Sequence, residues 1–189
     1  MVVPQRKKAL HELAGSGDDG STGLLGGGRT GKDDLRIETY GTVDEASSAL
    51  GLAKALSSDA RLKEIVERLQ QGLYRLGAEL ATNPESSARF LTTTAEDVAG
   101  LDNLMAELEA EAPMPQGFVL PGTTPASAAL DVARAVVRRA ERRCVALSRA
   151  GGVANPELQR YLNRMGLLLF VLARFEEARS GAPARPAKA

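Results

Sequence analysis

Apolar residues recur at spacings of three and four through most of this chain, and no stretch alternates apolar and polar residues as a half-buried strand does. Val43, Ala46, Leu50, Ala53 and Leu56 make a first stripe, and Leu62, Ile65, Leu69, Leu73, Leu76 and Leu80 a second. A third opens at Thr94, which with Asp97 has the pattern of a helix cap, and runs through Val98, Leu101, Met105 and Leu108. The fourth follows the turn PGTTP, where Thr124 is placed to cap and Pro125 fits the first turn; its seam is Leu130, Ala133, Val137, Ala140 and Cys144. The fifth begins at Asn155-Pro156, uses Leu158, Tyr161, Leu162, Met165, Leu168, Leu169 and Leu172, and fades near Arg179. Five amphipathic helices with short links, Asn83-Pro84 and Gly151-Gly152 marking turns, predict an all-α five-helix bundle. The pattern sets in at about Ile37, so residues 1–36 are expected to be a mobile N-terminal segment, residues 37–178 the bundle, and residues 179–189 a disordered tail.

At 189 residues and 43% hydrophobic content the chain has enough apolar material for one good core. Its 24 basic and 24 acidic residues cancel, so the charge balance points neither to nucleic acid nor to an anionic membrane, and any anion site has to be local. No apolar run approaches the roughly 20 residues of a spanning helix. The opening MVVPQRKKAL lacks the apolar core of a secretion signal, and a cytoplasmic protein is expected. The one cysteine, Cys144, falls on the fourth seam and reads as a small core residue in a reducing compartment. The one histidine, His11, lies in the N-terminal segment, so a zinc or di-iron site built by the protein itself is not expected.

A local anion site has two candidate parts. On the fourth helix, Arg134, Arg138 and Glu141 fall at i, i+4 and i+7, within about 60° of one another beside the apolar seam. Two converging guanidiniums suit a polyanion such as a nucleoside triphosphate, because each fork can donate paired hydrogen bonds. The same pattern, with Asp131 three residues before Arg134, also fits a solvated face laced with ion pairs, and these residues alone leave both readings open. The second part is GGGRTGK, Gly26 to Lys32, whose glycines allow backbone N–H groups to approach phosphates while Arg29 and Lys32 supply charge. It is not a P-loop: Asp33 stands where that motif needs Ser or Thr, and no strand precedes it.

Taken together, the loop SGDDGSTGLLGGGRTGKDDLRIETYGTVDE, the segment FVLPGTTPASAALDVARAVVRRAERR and the stretch YLNRMGLLLFVLAR resemble the PduO-type ATP:cob(I)alamin adenosyltransferases, in the same order and with similar spacing over roughly residues 13 to 176. The resemblance implies a bundle that assembles as a homotrimer with ATP held between neighbouring subunits. It implies transfer of the 5′-deoxyadenosyl group of ATP to cob(I)alamin, with Mg²⁺ held mainly by the triphosphate. By match, Ser16, Gly17, Asp18, Gly20, Ser21 and Thr22 belong to the nucleotide loop with Gly28, Arg29 and Lys32. Arg138 is expected on the phosphates, Glu141 and Asn163 on the nucleotide, Arg134 paired with Asp44 of the next subunit, and Phe118 against the corrin. Without the resemblance, Phe118 reads as ordinary core.

Cob(I)alamin is itself an extreme nucleophile, so such a protein needs no catalytic base, only position and charge stabilisation. A cob(II)alamin reductase and an adenosylcobalamin-dependent enzyme are the implied partners, with no nucleic acid and no membrane. Several residues depart from the family pattern: Ala14 and Ser16 replace threonines, Thr123 a glycine, Asp131 a histidine, Gly166-Leu167 a Ser-Asp pair, and Ala46-Ser47 interrupt the frequent DELN pattern after Asp44. They bring in a second reading, a trimeric nucleotide-binding cobalamin carrier or sensor with little transferase activity.

Overall fold

Every apolar stripe begins just after a side chain able to satisfy a free backbone N–H, and the helices start there. The computed structural model describes Ala9, residues 15–89 and residues 91–187, without the side chains of residues 87–89. His11 and Ala14 lie outside the described residues. Helix α1 spans Leu35–Leu56 and is capped by Asp34, whose carboxylate accepts from the N–H of Arg36 at 2.7 Å. Helix α2, Ala60–Leu80, is capped the same way by Asp59 onto Leu62. A 3₁₀ turn over Pro84–Arg89 leads to α3, Ala95–Glu111, where Thr94 and Asp97 form the reciprocal capping box. Thr124 and Ser127 form another at the start of α4, Pro125–Arg149. Helix α5, Glu157–Arg179, starts where Asn155 Oδ1 accepts from the Glu157 N–H at 3.0 Å.

Helix α4 packs against α1 on one side and α5 on the other, while α2 packs on α1 and α3 on α5. Its seam is fully buried: Leu130, Ala133, Val137, Ala140 and Cys144 are each 0% exposed. The second stripe is as deep, with Leu62, Ile65, Leu73, Leu76 and Leu80 at 1% or less. Each such leucine contributes about 1.5–3 kcal/mol by leaving water. Burial pushes the Cys144 thiol up to about 11, with Glu141 adding to the shift, so it stays protonated at neutral pH and serves as core.

Two buried polar clamps fix the helix ends. Arg36 donates to the carbonyls of Leu80 at 2.8 Å and Gly152 at 2.6 Å, tying α1 to the end of α2 and to the α4–α5 turn. Glu79 accepts from the N–H groups of Thr92 and Thr93 and from Asn155 Nδ2, which itself donates to the Thr93 carbonyl. The backbone before α3 and the start of α5 are thereby held to α2.

The ends of the chain differ from the sequence expectation. Within the N-terminal segment, strands β1, Ser21–Gly23, and β2, Arg29–Gly31, form an antiparallel pair, and α1 begins at Leu35 rather than Ile37 because Asp34 caps it. After α5, Gly181 turns the chain back at φ +66, and strand β4, Arg185–Pro186, pairs with β3, Val119–Leu120. Residues 180–187 are therefore not an unstructured tail: Ala187 N–H also donates to the Phe118 carbonyl at 2.8 Å. Strands of two and three residues have no hydrophobic period to read.

Two helical glycines separate close packing from mere helix propensity. A Cβ at buried Gly72 of α2 would stand 2.9 Å from the Tyr161 ring carbon that bears the hydroxyl, whereas one at Gly100 of α3 would meet nothing within 4 Å. Gly72→Ala should lose about 1–3 kcal/mol, and Gly100→Ala should gain about 0.4–1 kcal/mol. Urea unfolding of the two variants checks both signs; equal midpoints would contradict the packing of α2 on Tyr161.

Candidate functional site

The glycine segment is hung on the end of α2. Leu25 N–H donates to the Ala81 carbonyl at 3.0 Å, Asn83 N–H to the Leu25 carbonyl at 2.8 Å, and Asn83 Nδ2 to the Gly27 carbonyl at 3.0 Å. Gly26, Gly27 and Gly28 between these anchors have φ of +80, +101 and +86, the left-handed region that a side chain resists. Arg29 donates Nε and Nη2 to Ser21 Oγ at 3.0 and 2.5 Å, and Nη2 to the Ser16 carbonyl at 3.4 Å. Lys32 N–H bonds the Gly20 carbonyl at 2.8 Å, and Gly17 leaves room for its ammonium, which a Cβ there would meet at 3.1 Å. Thr22 pairs with Thr30 across β1–β2, and Asp18 N–H donates to the Gly15 carbonyl. Ser16, Gly17, Asp18, Gly20, Ser21, Thr22, Gly28, Arg29 and Lys32 thus belong to one compact loop. Asp19, which the sequence reading passed over, organises it: hydrogen bonds from the Ser21 N–H and hydroxyl hold its carboxyl below the usual range. The Asp-x-Ser turn was its signal.

Helix α4 presents two flanks. On the α5 side, Arg134 Nε lies 3.4 Å from Asp131, Arg138 pairs with Glu141 at 3.8 Å, and Glu141 accepts from Asn163 Nδ2 at 2.8 Å. Arg138 and Glu141, one turn apart on α4, are joined by Asn163 from α5. Gly166 of α5 lies beside them, since its Cβ would stand 3.4 Å from Arg138 Cγ. About 140° further round the helix, Arg139 pairs with Glu45 and Arg143 with Glu38 at 3.2 Å. Lys32 shares with Glu38, Thr42, Glu45 and Arg139 a cleft of about 430 Å³. Helical spacing places Arg139 on that flank, but nothing in the residue pattern brings Lys32 to it.

The protomer does not bring every candidate together. The nucleotide loop reaches the α1 flank of α4, while Arg138, Glu141 and Asn163 occupy the α5 flank. Asp44 lines a third surface, a groove of about 400 Å³ with Leu25, Tyr40 and Tyr74. Among the described residues its carboxylate forms no ion pair or hydrogen bond, and Arg134 is paired with Asp131 instead.

A cavity of about 910 Å³ opens beside α4 and is mainly apolar, with Phe118, Val132, Ala135, Phe170, Asp131 and Arg134 among its walls. The Phe118 ring is 90% exposed at its edge, which overturns the reading of Phe118 as core. Beside it, the Thr123 hydroxyl is buried without a hydrogen-bond partner among the described residues. An apolar wall with an exposed aromatic ring and one guanidinium suits a large, flat ligand bearing a few polar groups. Among the described residues, no three His, Cys, Asp or Glu side chains are grouped to hold a metal, and no helix is long and apolar enough to cross a membrane.

Comparison with known proteins agrees with this geometry. The family model for cobalamin adenosyltransferase matches residues 13–176. A corrinoid adenosyltransferase of Citrobacter freundii is 41% identical over 163 residues, covering 86% of this chain and 92% of its own. One from Bacillus subtilis (strain 168) is 42% identical over 170 residues, with 88% and 86% covered. Among solved structures, a phenylalanine-to-alanine variant of a PduO-type ATP:corrinoid adenosyltransferase from Lactobacillus reuteri, complexed with cobalamin and ATP, matches with a TM-score of 0.87 at 30% identity, over 93% of this chain and 98% of that one. With an all-α five-helix fold, a family match over most of its length and relatives above 40% identity, this chain belongs to the cobalamin adenosyltransferase family.

Proposed function

We propose that this chain transfers the 5′-deoxyadenosyl group of ATP to cob(I)alamin, giving adenosylcobalamin and triphosphate, with MgATP and the reduced corrinoid as its two substrates. The observation that carries the reading is the apolar cavity of about 910 Å³ with Phe118 exposed at its edge and Arg134 in its wall. The electron pair of Co(I) forms the bond to C5′ of ATP, the C5′–O bond breaks, and its electrons leave with the triphosphate. This requires charge stabilisation rather than a base. Arg138, Arg29, Lys32 and the N–H groups around Gly28 are the donors for the phosphates. Glu141 and Asn163 hold the nucleoside from α4 and α5. Phe118 lies against the corrin and keeps the lower axial ligand away from cobalt.

The site is completed between subunits. The nucleotide loop and Arg138 lie on opposite flanks of α4, so one copy supplies the loop and its neighbour the arginine face. An Asp44 carboxylate with no partner among the described residues, in a groove beside 49%-exposed Leu25 and 79%-exposed Tyr74, supports an interface there. We assign Asp44 to Arg134 of the neighbouring subunit in a homotrimer. The nucleotide loop from Ser16 to Lys32 closes further when MgATP binds. The protein works in the cytoplasm between a cob(II)alamin reductase and an adenosylcobalamin-dependent enzyme. The carrier reading draws on Gly166-Leu167: Leu167 is 45% exposed and places no carboxylate beside Arg138.

Incubation with MgATP and chemically reduced cobalamin should discharge the cob(I)alamin absorbance, whereas ATP binding without that change would establish the carrier. Phe118→Ala should leave folding and ATP binding intact, because the ring is exposed, while abolishing the four-coordinate cob(II)alamin spectrum. An unchanged spectrum would sink its assigned role. Arg138→Ala should raise the ATP concentration for half-maximal rate about one to two decades, the value of a charge-assisted hydrogen bond. Sedimentation should show a trimer at micromolar concentration that Asp44→Ala weakens; a monomeric wild type contradicts the shared site.

A further inference from the structure

Four charges run in a line beneath the cavity. Arg174 is 2% exposed, Glu177 1% and Asp131 8%. Arg174 Nη2 donates to Asp131 Oδ2 at 3.0 Å and to Glu177 Oε1 at 2.8 Å, and its Nε lies 2.7 Å from Glu177 Oε2 at an angle outside hydrogen-bond geometry. The guanidinium also sits 5.1 Å from the centre of the Phe170 ring, a wall of the cavity. The second oxygen of Asp131 accepts from Arg134 Nε at 3.4 Å. One buried guanidinium facing two buried carboxylates leaves a net negative charge, which low-dielectric surroundings penalise. Arg134 is the cation that neutralises it.

We infer that Asp131, itself fixed by Arg174 and Glu177, is the positioning residue for Arg134. The carboxylate engages the Nε edge of the guanidinium, so the two Nη groups remain for whatever Arg134 meets at the cavity and subunit boundary. A lone arginine at 35% side-chain exposure keeps several rotamers; one tethered to a buried carboxylate keeps few. The relay joins α5, through Arg174 and Glu177, to the working face of α4, and Phe170 makes it continuous with the cavity wall. The inference rests on the reading that Arg134 acts in adenosylation, and the test separates the two.

Solvent exchange of the Arg134 Nε–H, followed by ¹⁵N NMR and assigned through Arg134→Lys, should be slow in the wild type and fast in Asp131→Asn. The same substitution should lower kcat/KM for cob(I)alamin roughly tenfold, mainly through KM. Asp131→Asn combined with Arg134→Ala should be no worse than Arg134→Ala alone, because the aspartate acts through that arginine. If Asp131→Asn does not fold, Asp131→Glu keeps the charge for Arg174 while displacing the Nε contact, and should speed the exchange with little change in melting temperature. Rapid wild-type exchange, or additive losses in the double variant, would overturn the relay. Slow wild-type exchange in a protein that never adenosylates would instead retain the relay and overturn the proposed function.

Discussion

The rest of the molecule depends on how closely α4 is held between α1 and α5. Its seam of Leu130, Ala133, Val137, Ala140 and Cys144 is completely buried, and three of the five side chains are no larger than a thiol. Small residues let the backbones approach, and close approach leaves no room for long side chains except along the two flanks. Arginines are therefore displaced to the edges of the helix, where their stems pack and their charged ends reach solvent. The same constraint that makes α4 central makes it carry two separate rows of guanidiniums.

Loops can be placed accurately only if the helix ends beneath them do not move. Arg36 and Glu79 meet that need, each a charged group buried at 7% and 5% exposure whose hydrogen bonds go largely to backbone. Breaking either clamp strands a charge, so both are far stiffer constraints than an exposed ion pair such as Arg61 with Glu111. Arg36 fixes the end of α2, from which the glycine segment hangs through Leu25 and Asn83. Glu79 fixes the start of α5, and so the register of Asn163 and Gly166 against Arg138.

Helix positions were legible because five stripes with caps at Thr94, Thr124 and Asn155 carry a strong periodic signal. The cluster of Arg138, Glu141 and Asn163 was half legible: spacing gave the first two, but only the packing of α5 on α4 brings in the third. The Phe118 environment was not legible from residue type, since a lone phenylalanine before a turn is usually core and this one is 90% exposed. Nor was the pairing of the tail with Val119–Leu120, where two-residue strands leave no pattern and Pro186 argues locally against a strand. Arg174 and Glu177 belong to no apolar stripe, yet they are among the most deeply buried charges described. Periodicity finds apolar faces; it cannot see charges buried in mutual pairs.

The departures from the family pattern fall around these same constraints. Gly166 lies where a Cβ would stand 3.4 Å from Arg138 Cγ, in van der Waals contact, so the arginine stem rests directly against α5. Leu167, the next residue, is half-exposed and offers no carboxylate to the arginine row. Asp131 places a negative charge on the buried side of Arg134, where Arg174 holds it. Arg134 is tethered from below by Asp131, and Arg138 meets Glu141 only at 3.8 Å, an arrangement that leaves guanidinium donors for a polyanion rather than spending them on pairs within the protein.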